Sequence, residues 1–364
     1  MKPHATSGPV HIVGSGLLGA SVGLALRALE VDVTLEDTSP AALAVAQQIG
    51  AGRVAPYPKP ELVVVAVPPD VTADVVAANL EAHPQAVVTD LASVKLGIVQ
   101  QLTAKHADLT RYVGSHPMAG KEQTGPAAGA ADLFTGRPWV ITAPEAASQP
   151  AVLMVRDLAT DLDASVVYLD PLAHDAAVAL VSHVPQIISS LMAARLGPAS
   201  SQALSLAGQG LRDVTRIAGS NPDLWSAILA ANSAAVVEVL RLVATDLDQA
   251  IESLELAQQP QRLGQVLVGL NALIAAGNRG AERIPGKHGG ARQAFDQVVV
   301  LVPDRVGALA RLFALLEQVQ VNLEDLRLEH AAGQAVGRAT LSVPAGKGAQ
   351  LASALELHGW SVLG

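Results

Sequence analysis

Residues Val10–Leu29 read VHIVGSGLLGASVGLALRAL: a β-branched run, three glycines spaced GxGxxG, then an Ala/Leu-rich stretch. The order strand, turn, helix gives each glycine its own task. Gly14 permits the tight turn, Gly16 lets the backbone approach a ligand, and Gly19 allows helix and strand to pack closely. The free N–H groups where the helix opens, around Leu17 and Leu18, favour negative charge on the turn. Such a turn seats the pyrophosphate of a nicotinamide dinucleotide. The next strand, VDVTLED (31–37), ends in two acids at the distance where a carboxylate hydrogen-bonds the adenosine ribose. Asp37 is the expected partner, with Glu36 as its neighbour. A carboxylate there repels the extra phosphate of NADP, and no arginine follows closely to hold one, so NAD is the expected cofactor. Pro68, which closes the strand LVVVAVP, is placed with the cofactor-binding residues.

Outward from this turn, Val10 to about Leu169 alternates Val/Ile-rich runs with amphipathic Ala/Leu-rich stretches. VHIVG, VDVTLED, LVVVAVP, AVVTD, YVGSH and PWVITA read as strands buried on both faces, because they lack strict alternation. ALAVAQQIG and VTADVVAANL read as helices between them. The expectation is a Rossmann-type, doubly wound, mostly parallel sheet over residues 1–169. After SVVYLDP the β signal stops. Asp170 can cap a helix that opens with Pro171 and ends near Gly197. Asn221 and Pro222 open a second, whose apolar pattern runs to about Leu256 as one long helix. Residues 170–285 are thus expected to form an all-α domain. NRGAERIPGKHGGAR (278–292) reads as a linker. Residues 295–364 then show strand-helix-strand-strand-helix-strand, the ferredoxin-like α+β pattern.

A chain of 364 residues suits two or three domains. Its 24 Lys+Arg against 33 Asp+Glu give a formal charge of −9, with few aromatics, so nucleic acid is not an expected partner. There is no cysteine, which removes disulfides and thiolate chemistry, and no metal site is expected. MKPHATSGP lacks the apolar core of a signal peptide, and the apolar runs look broken short of membrane-spanning length. A cytoplasmic protein without membrane contact is expected.

Several further segments are more specific. VVTDLASVK, GSHPMAGKEQTGP, LVSHVPQ and LRDVTRIAGSNPDLW resemble, in order and spacing, the motifs of the prephenate and arogenate dehydrogenase family of tyrosine biosynthesis. The resemblance spans about Val10 to Leu256. It implies an NAD-dependent oxidoreductase that oxidatively decarboxylates prephenate to 4-hydroxyphenylpyruvate, acting as a homodimer, with arogenate dehydrogenase as the nearest alternative. A different class, a non-catalytic NAD-binding regulatory protein, would need neither His116 nor Arg216.

The residue chemistry fits this reading. His116, in a Gly-Ser-His-Pro turn after a strand, can take a hydroxyl proton as hydride leaves the same carbon. Ser93 can reach the reacting group and orient His116, or cap the helix VKLGIVQQL. Arg212 and Arg216 share a predicted helical face, with Asp213 able to pair with Arg216. By resemblance Arg216 holds the side-chain carboxylate, with Arg212 accessory. His183, two residues before Pro185, sits where proline should kink a helix and shape the pocket. Gln186 stands where the family often has a second histidine, and Trp225 packs at a subunit boundary, covers the site or packs in a core. Finally, PDRVGALARLF resembles the DRxGxL signature of ACT domains. That resemblance implies a regulatory domain binding an amino-acid effector, expected to be tyrosine, through Asp304, Gly307 and Asn322.

Overall fold

The computed structural model describes residues 4–55, 59–121, 123–285, 295–330 and 336–363. It divides into two compact units, Met1–Ala244 and Thr245–Gly364. In the first, β1 (Val10–Val13) runs through the glycine turn into α1 (Leu17–Ala28). β2 (Val33–Glu36), α2 (Pro40–Gln48), β3 (Leu62–Val65), α3 (Pro69–Ala82), β4 (Val87–Asp90) and α4 (Leu96–Ala104) follow. β5 (Tyr112–Pro117), β6 (Pro138–Thr142), α5 (Gln149–Asp161) and β7 (Ser165–Tyr168) complete the sheet region.

The sheet order is β2-β1-β3-β4-β5-β6-β7. Neighbours are parallel except β5 and β6. Both faces are covered, which explains the unalternating strands. Ile12, Leu35, Val64 and Ile141 pack with Leu26 of α1 and Val155 and Leu158 of α5. Val13, Val63, Val65 and Val88 pack on the other face with Val76 and Leu80 of α3 and Ile98 and Leu102 of α4. Each such burial stabilises the fold by about 1.5–3 kcal/mol. The glycine turn lies at the carboxyl end of β1, beside β3, where the winding of the sheet reverses and ligands bind in such folds.

The helical region opens as expected, with the Asp170 carboxylate accepting from Ala173 N at 2.9 Å. α6 (Pro171–Val178) passes through a π turn, Ala179–His183, into α7 (Val184–Ala194), which ends short of Gly197. The π turn precedes Pro185, whose ring and missing N–H disturb ordinary helical bonding at that point. α8 (Ser201–Leu204), α9 (Gln209–Thr215), α10 (Pro222–Ala231) and α11 (Ser233–Leu256) follow. The single long helix expected from Pro222 to Leu256 is two helices, bent by 93°. The break falls at Asn232, whose buried amide donates to Asp175 O at 2.8 Å and to His183 Nδ1 at 3.1 Å. A fixed polar partner overrides a continuous apolar pattern.

By length and composition alone, Pro171–Ala194 could cross a bilayer, contrary to the sequence expectation. One face of it carries polar groups into the first unit: His174, Asp175, His183 and Gln186 on it are all buried, and Asp175 accepts from Lys95 N and Leu96 N.

The second unit contains α12 (Leu263–Glu282), which takes in Asn278–Glu282 of the expected linker. Residues 286–292 of that linker, like Glu122 of the HPMAGKE motif, lie outside the described residues. β8 (Phe295–Pro303), α13 (Ala308–Gln318), β9 (Asp325–His330), β10 (Val336–Pro344), α14 (Gly348–Leu357) and β11 (Ser361–Leu363) form the expected ferredoxin-like pattern. The antiparallel order is β11-β8-β10-β9, and Val298, Val300 and Val302 pack against Leu312 of α13 and Leu351 of α14.

One buried ion pair sets the course of the irregular segment between β4 and α4. Lys95 Nζ binds Asp90 Oδ1 with both side chains fully buried. Ala92 N donates to the same carboxylate at 2.9 Å and Tyr112 OH at 2.7 Å. Burial pulls the Lys95 ammonium below its ordinary range, against the charge of Asp90. Lys95→Met is therefore expected to strand the Asp90 charge and cost about 3–5 kcal/mol in urea unfolding, with Asp90→Asn in the same chain recovering part of the loss.

Candidate active site

A cleft of about 960 Å³ runs from the glycine turn to the π turn and α10 of the first unit. At its first end, Gly16, Leu17, Leu18 and Pro68 line the wall. Gly14 has φ +96°, and a Cβ there would stand 2.4 Å from Ala66 O. A Cβ on Gly19 would stand 1.9 Å from Gly14 O. Gly16 has open space where a side chain would project, and no side chain caps α1. The turn is thus closed behind and open in front, which fits a pyrophosphate at the helix start. Asp37 is not among the residues of the cleft wall. Its carboxylate accepts from Ser15 N at 2.6 Å, Ser15 Oγ at 2.7 Å and Ser39 N at 2.8 Å. Burial raises its pKa, but these hydrogen bonds outweigh burial and hold the carboxyl below 3.8. Glu36 instead meets His11 Nε2 at 3.2 Å.

Ser93, His116, His183, Arg216 and Trp225 line the rest of the cleft. His116 lies within β5, not in a turn after it as expected, on the strand that pairs antiparallel with β6, and its Nδ1 lies 2.9 Å from His174 Nε2. His174 Nδ1 lies 2.8 Å from Asp175 Oδ1. A carboxylate only accepts, so His174 Nδ1 donates to it. With His174 neutral, its Nε2 accepts from His116 Nδ1–H, which leaves the lone pair of His116 on Nε2, toward the cleft. Burial drives the His116 pKa well below 6.5, helped by the nearby His174, Lys95 and His183. The ring is therefore neutral and proton-accepting.

The expected bond from Ser93 to His116 is absent among the described residues. Nor does Ser93 cap α4, whose N-cap is Lys95 without a side-chain bond. Asp175 does that work from far along the chain, accepting from Lys95 N at 2.8 Å and Leu96 N at 2.9 Å. Sequence reasoning missed Asp175, His174 and Asn232; the polar pair His174-Asp175 inside an apolar helix was the available signal. Asn232 Nδ2 faces Asp175 O, which fixes its amide orientation, so its other hydrogen points at His183 Nδ1. His183 then carries its proton on Nε2 and is a donor to the cleft. Burial, opposed by the Asp175 charge, pulls its pKa down to about 4. Trp225 packs edge-on to this ring, centroids 6.1 Å apart.

Arg216 opens a short 3₁₀ turn, Arg216–Gly219, and lines the cleft. Among the described residues its guanidinium has no hydrogen-bond or ion-pair partner. The expected Asp213–Arg216 pair does not form: Asp213 accepts from Gln209 Nε2 at 2.7 Å, one helical turn back. Arg212 and Asp213 are exposed and off the cleft wall, and Gln186 is buried behind it. Lys121, unremarked in the sequence, also lines the cleft and donates to Ala128 O at 2.9 Å. None of the described lining residues is acidic, and no group of side chains suited to a metal occurs among the described residues.

In the second unit, Asp304 and Gly307 line a smaller cavity of about 270 Å³. Gly307, at φ +80°, starts α13. Asn322 is not on that wall; its amide donates to Glu324 Oε1 at 2.7 Å.

Two family profiles match the chain: "Prephenate dehydrogenase, nucleotide-binding domain" over residues 22–168 and "Prephenate dehydrogenase, dimerization domain" over 170–268. A probable prephenate dehydrogenase, NovF, from Streptomyces niveus is 39% identical over 306 residues, covering 83% of this chain and 84% of that one. Arogenate dehydrogenase from Synechocystis is similar in structure, with TM-score 0.59 and 26% identity over 72% of this chain and 99% of its own. The fold is also that of prephenate dehydrogenase from A. aeolicus, determined with hydroxyphenyl propionate and NAD+, with TM-score 0.63 and 23% identity over 74% of this chain and all of that one. Two matched domains in sequence and a relative of this similarity along most of its length have one reading: the chain belongs to the prephenate dehydrogenase family.

Proposed function

We propose that this chain is an NAD-dependent prephenate dehydrogenase that converts prephenate to 4-hydroxyphenylpyruvate and carbon dioxide. The observation that carries the reading is the buried chain from Asp175 through His174 to His116, which presents a neutral imidazole lone pair to a cleft that also holds Arg216, unpaired among the described residues. NAD, when bound, accepts the hydride. The glycine turn would seat its pyrophosphate, and Asp37, already latched to Ser15, would turn its remaining acceptor capacity to the ribose. Arg216 offers the side-chain carboxylate a bidentate guanidinium. His116 Nε2 draws on the ring hydroxyl as the hydrogen on the same carbon leaves, and the phenol product regains that proton. His183 Nε2–H and Ser93 Oγ supply further hydrogen bonds to the substrate. Decarboxylation makes the ring aromatic and draws the reaction forward, so the protein's part is orientation and charge placement.

Arogenate carries an ammonium where prephenate has a keto oxygen. The lack of an acidic side chain among the described cleft residues favours the keto acid. A regulatory protein that only bound NAD would not need His116, His174 and Asp175 in line. The domain reading is three parts, 1–169, 170–285 and 295–364; profile matches that meet between 168 and 170 support the first boundary. A cytoplasmic homodimer is proposed through the second part; exposed Leu247, Ile251 and Leu254 on α11 and Leu267 and Ile274 on α12 suit burial against a partner copy.

The purified chain should reduce NAD in the presence of prephenate, followed by absorbance; inactivity with both prephenate and arogenate would end this reading. His116→Asn should lower kcat by about 10²–10⁴-fold with NAD binding kept. Arg216→Ala should chiefly raise KM for prephenate, by about tenfold or more. The pH dependence has a definite sign. A His116 pKa well below 6.5 keeps the active neutral ring as pH falls, so kcat/KM should stay level through 6.5 and decline only at lower pH. An acid limb centred on the ordinary imidazole value would contradict it. Tyrosine, through the cavity at Asp304 and Gly307, is proposed as a feedback effector. It should slow the full chain and not a chain ending near Gly290; equal insensitivity of both removes the effector proposal.

A further inference from the structure

Gln186 is 5% exposed and absent from the cleft wall, yet every polar atom of its side chain is engaged. Its Nε2 donates to Ile217 O at 3.0 Å and to Ser190 Oγ at 3.3 Å. Its Oε1 lies 3.2 Å from Ser220 Oγ, which lies 2.7 Å from Ile217 O. The single hydroxyl proton of Ser220 serves one of these acceptors at a time, whereas the Gln186 Nε2 bond to Ile217 O stands in either case. These bonds tie α7 to the short turn whose first residue is Arg216.

A four-residue 3₁₀ turn has weak hydrogen bonding of its own. The carbonyl next to Arg216 is held from outside, by an amide on α7, and α7 is in turn fixed by the π turn and the buried His183. With both amide hydrogens donated and no place on the cleft wall, Gln186 has no donor to offer a ligand. Resting on the reading of Arg216 as the carboxylate-binding residue, we infer that Gln186 is a positioning residue for substrate affinity: it sets where the Arg216 guanidinium stands, and it acts without touching substrate. The role needs an amide. A residue of the same length without N–H donors cannot hold Ile217 O, and a carboxylate there would face a carbonyl oxygen.

The test is steady-state kinetics on the full chain with Gln186→Met, Arg216→Ala and the double variant, each assayed with prephenate and NAD. Gln186→Met should raise KM for prephenate by about five- to twentyfold, the scale of one or two lost hydrogen bonds, while kcat and KM for NAD stay within about twofold. On the Arg216→Ala background it should add almost nothing, because both changes remove one interaction. Gln186→Glu, equal in shape and lacking the donors, should reproduce the effect and serves if Gln186→Met fails to fold. An unchanged KM in either folded variant, or a full additional increase on the Arg216→Ala background, overturns the inference. Failure of the unaltered chain to turn over prephenate overturns the functional reading first, and is distinguished by that.

Discussion

The Asp175 carboxylate is the contact on which the rest of the first unit's chemistry depends. Its two oxygens accept the first free N–H groups of α4 and the proton of the His174 ring, and the backbone carbonyl of the same residue accepts the amide of Asn232. It therefore joins the sheet, which carries His116, to the helices that carry His183 and Arg216. A helix start leaves N–H groups without partners, and the carboxylate supplies acceptors to two of them. Orientation of two histidines and attachment of the helical region are one physical event.

The ends of the cleft are built differently. At the glycine turn the ligand is met by backbone, and the side chains that matter are those that are absent. Gly14 and Gly19 leave room where a Cβ would collide with Ala66 O and Gly14 O. At the other end the lining side chains are held by partners off the cleft wall: His174 behind His116, Asn232 behind His183, Gln186 behind the Arg216 turn. The glycine turn names a cofactor class; the buried partners hold the side chains to which the proposed reaction and substrate recognition are assigned.

What the sequence revealed follows from the range of the interactions. The strand, turn and helix of Val10–Leu29 were legible because each glycine acts on neighbours within a few residues, and the two-sided sheet was legible because its strands are uniformly apolar. The caps at Asp170 and Asn221 are equally local. The break at Asn232 was not legible, since the cause lies 57 residues earlier at Asp175. Asp213 had two helical neighbours within reach and took Gln209 rather than Arg216. Ser93 looked like a cap because serine caps helices, yet a carboxylate 80 residues away from Lys95 occupies that role. Gln186, read as a departure at a substrate contact, proved to face the turn behind it.

The central claim is that the buried chain from Asp175 leaves the His116 lone pair on Nε2. Long-range proton–nitrogen NMR on the protein carrying isotope-labelled histidine reads the tautomer directly. The account predicts that between about pH 6 and 8 one buried ring, lost in the spectrum of His116→Asn, is neutral with hydrogen on Nδ1 and none on Nε2. A protonated ring, or hydrogen on Nε2, would contradict it.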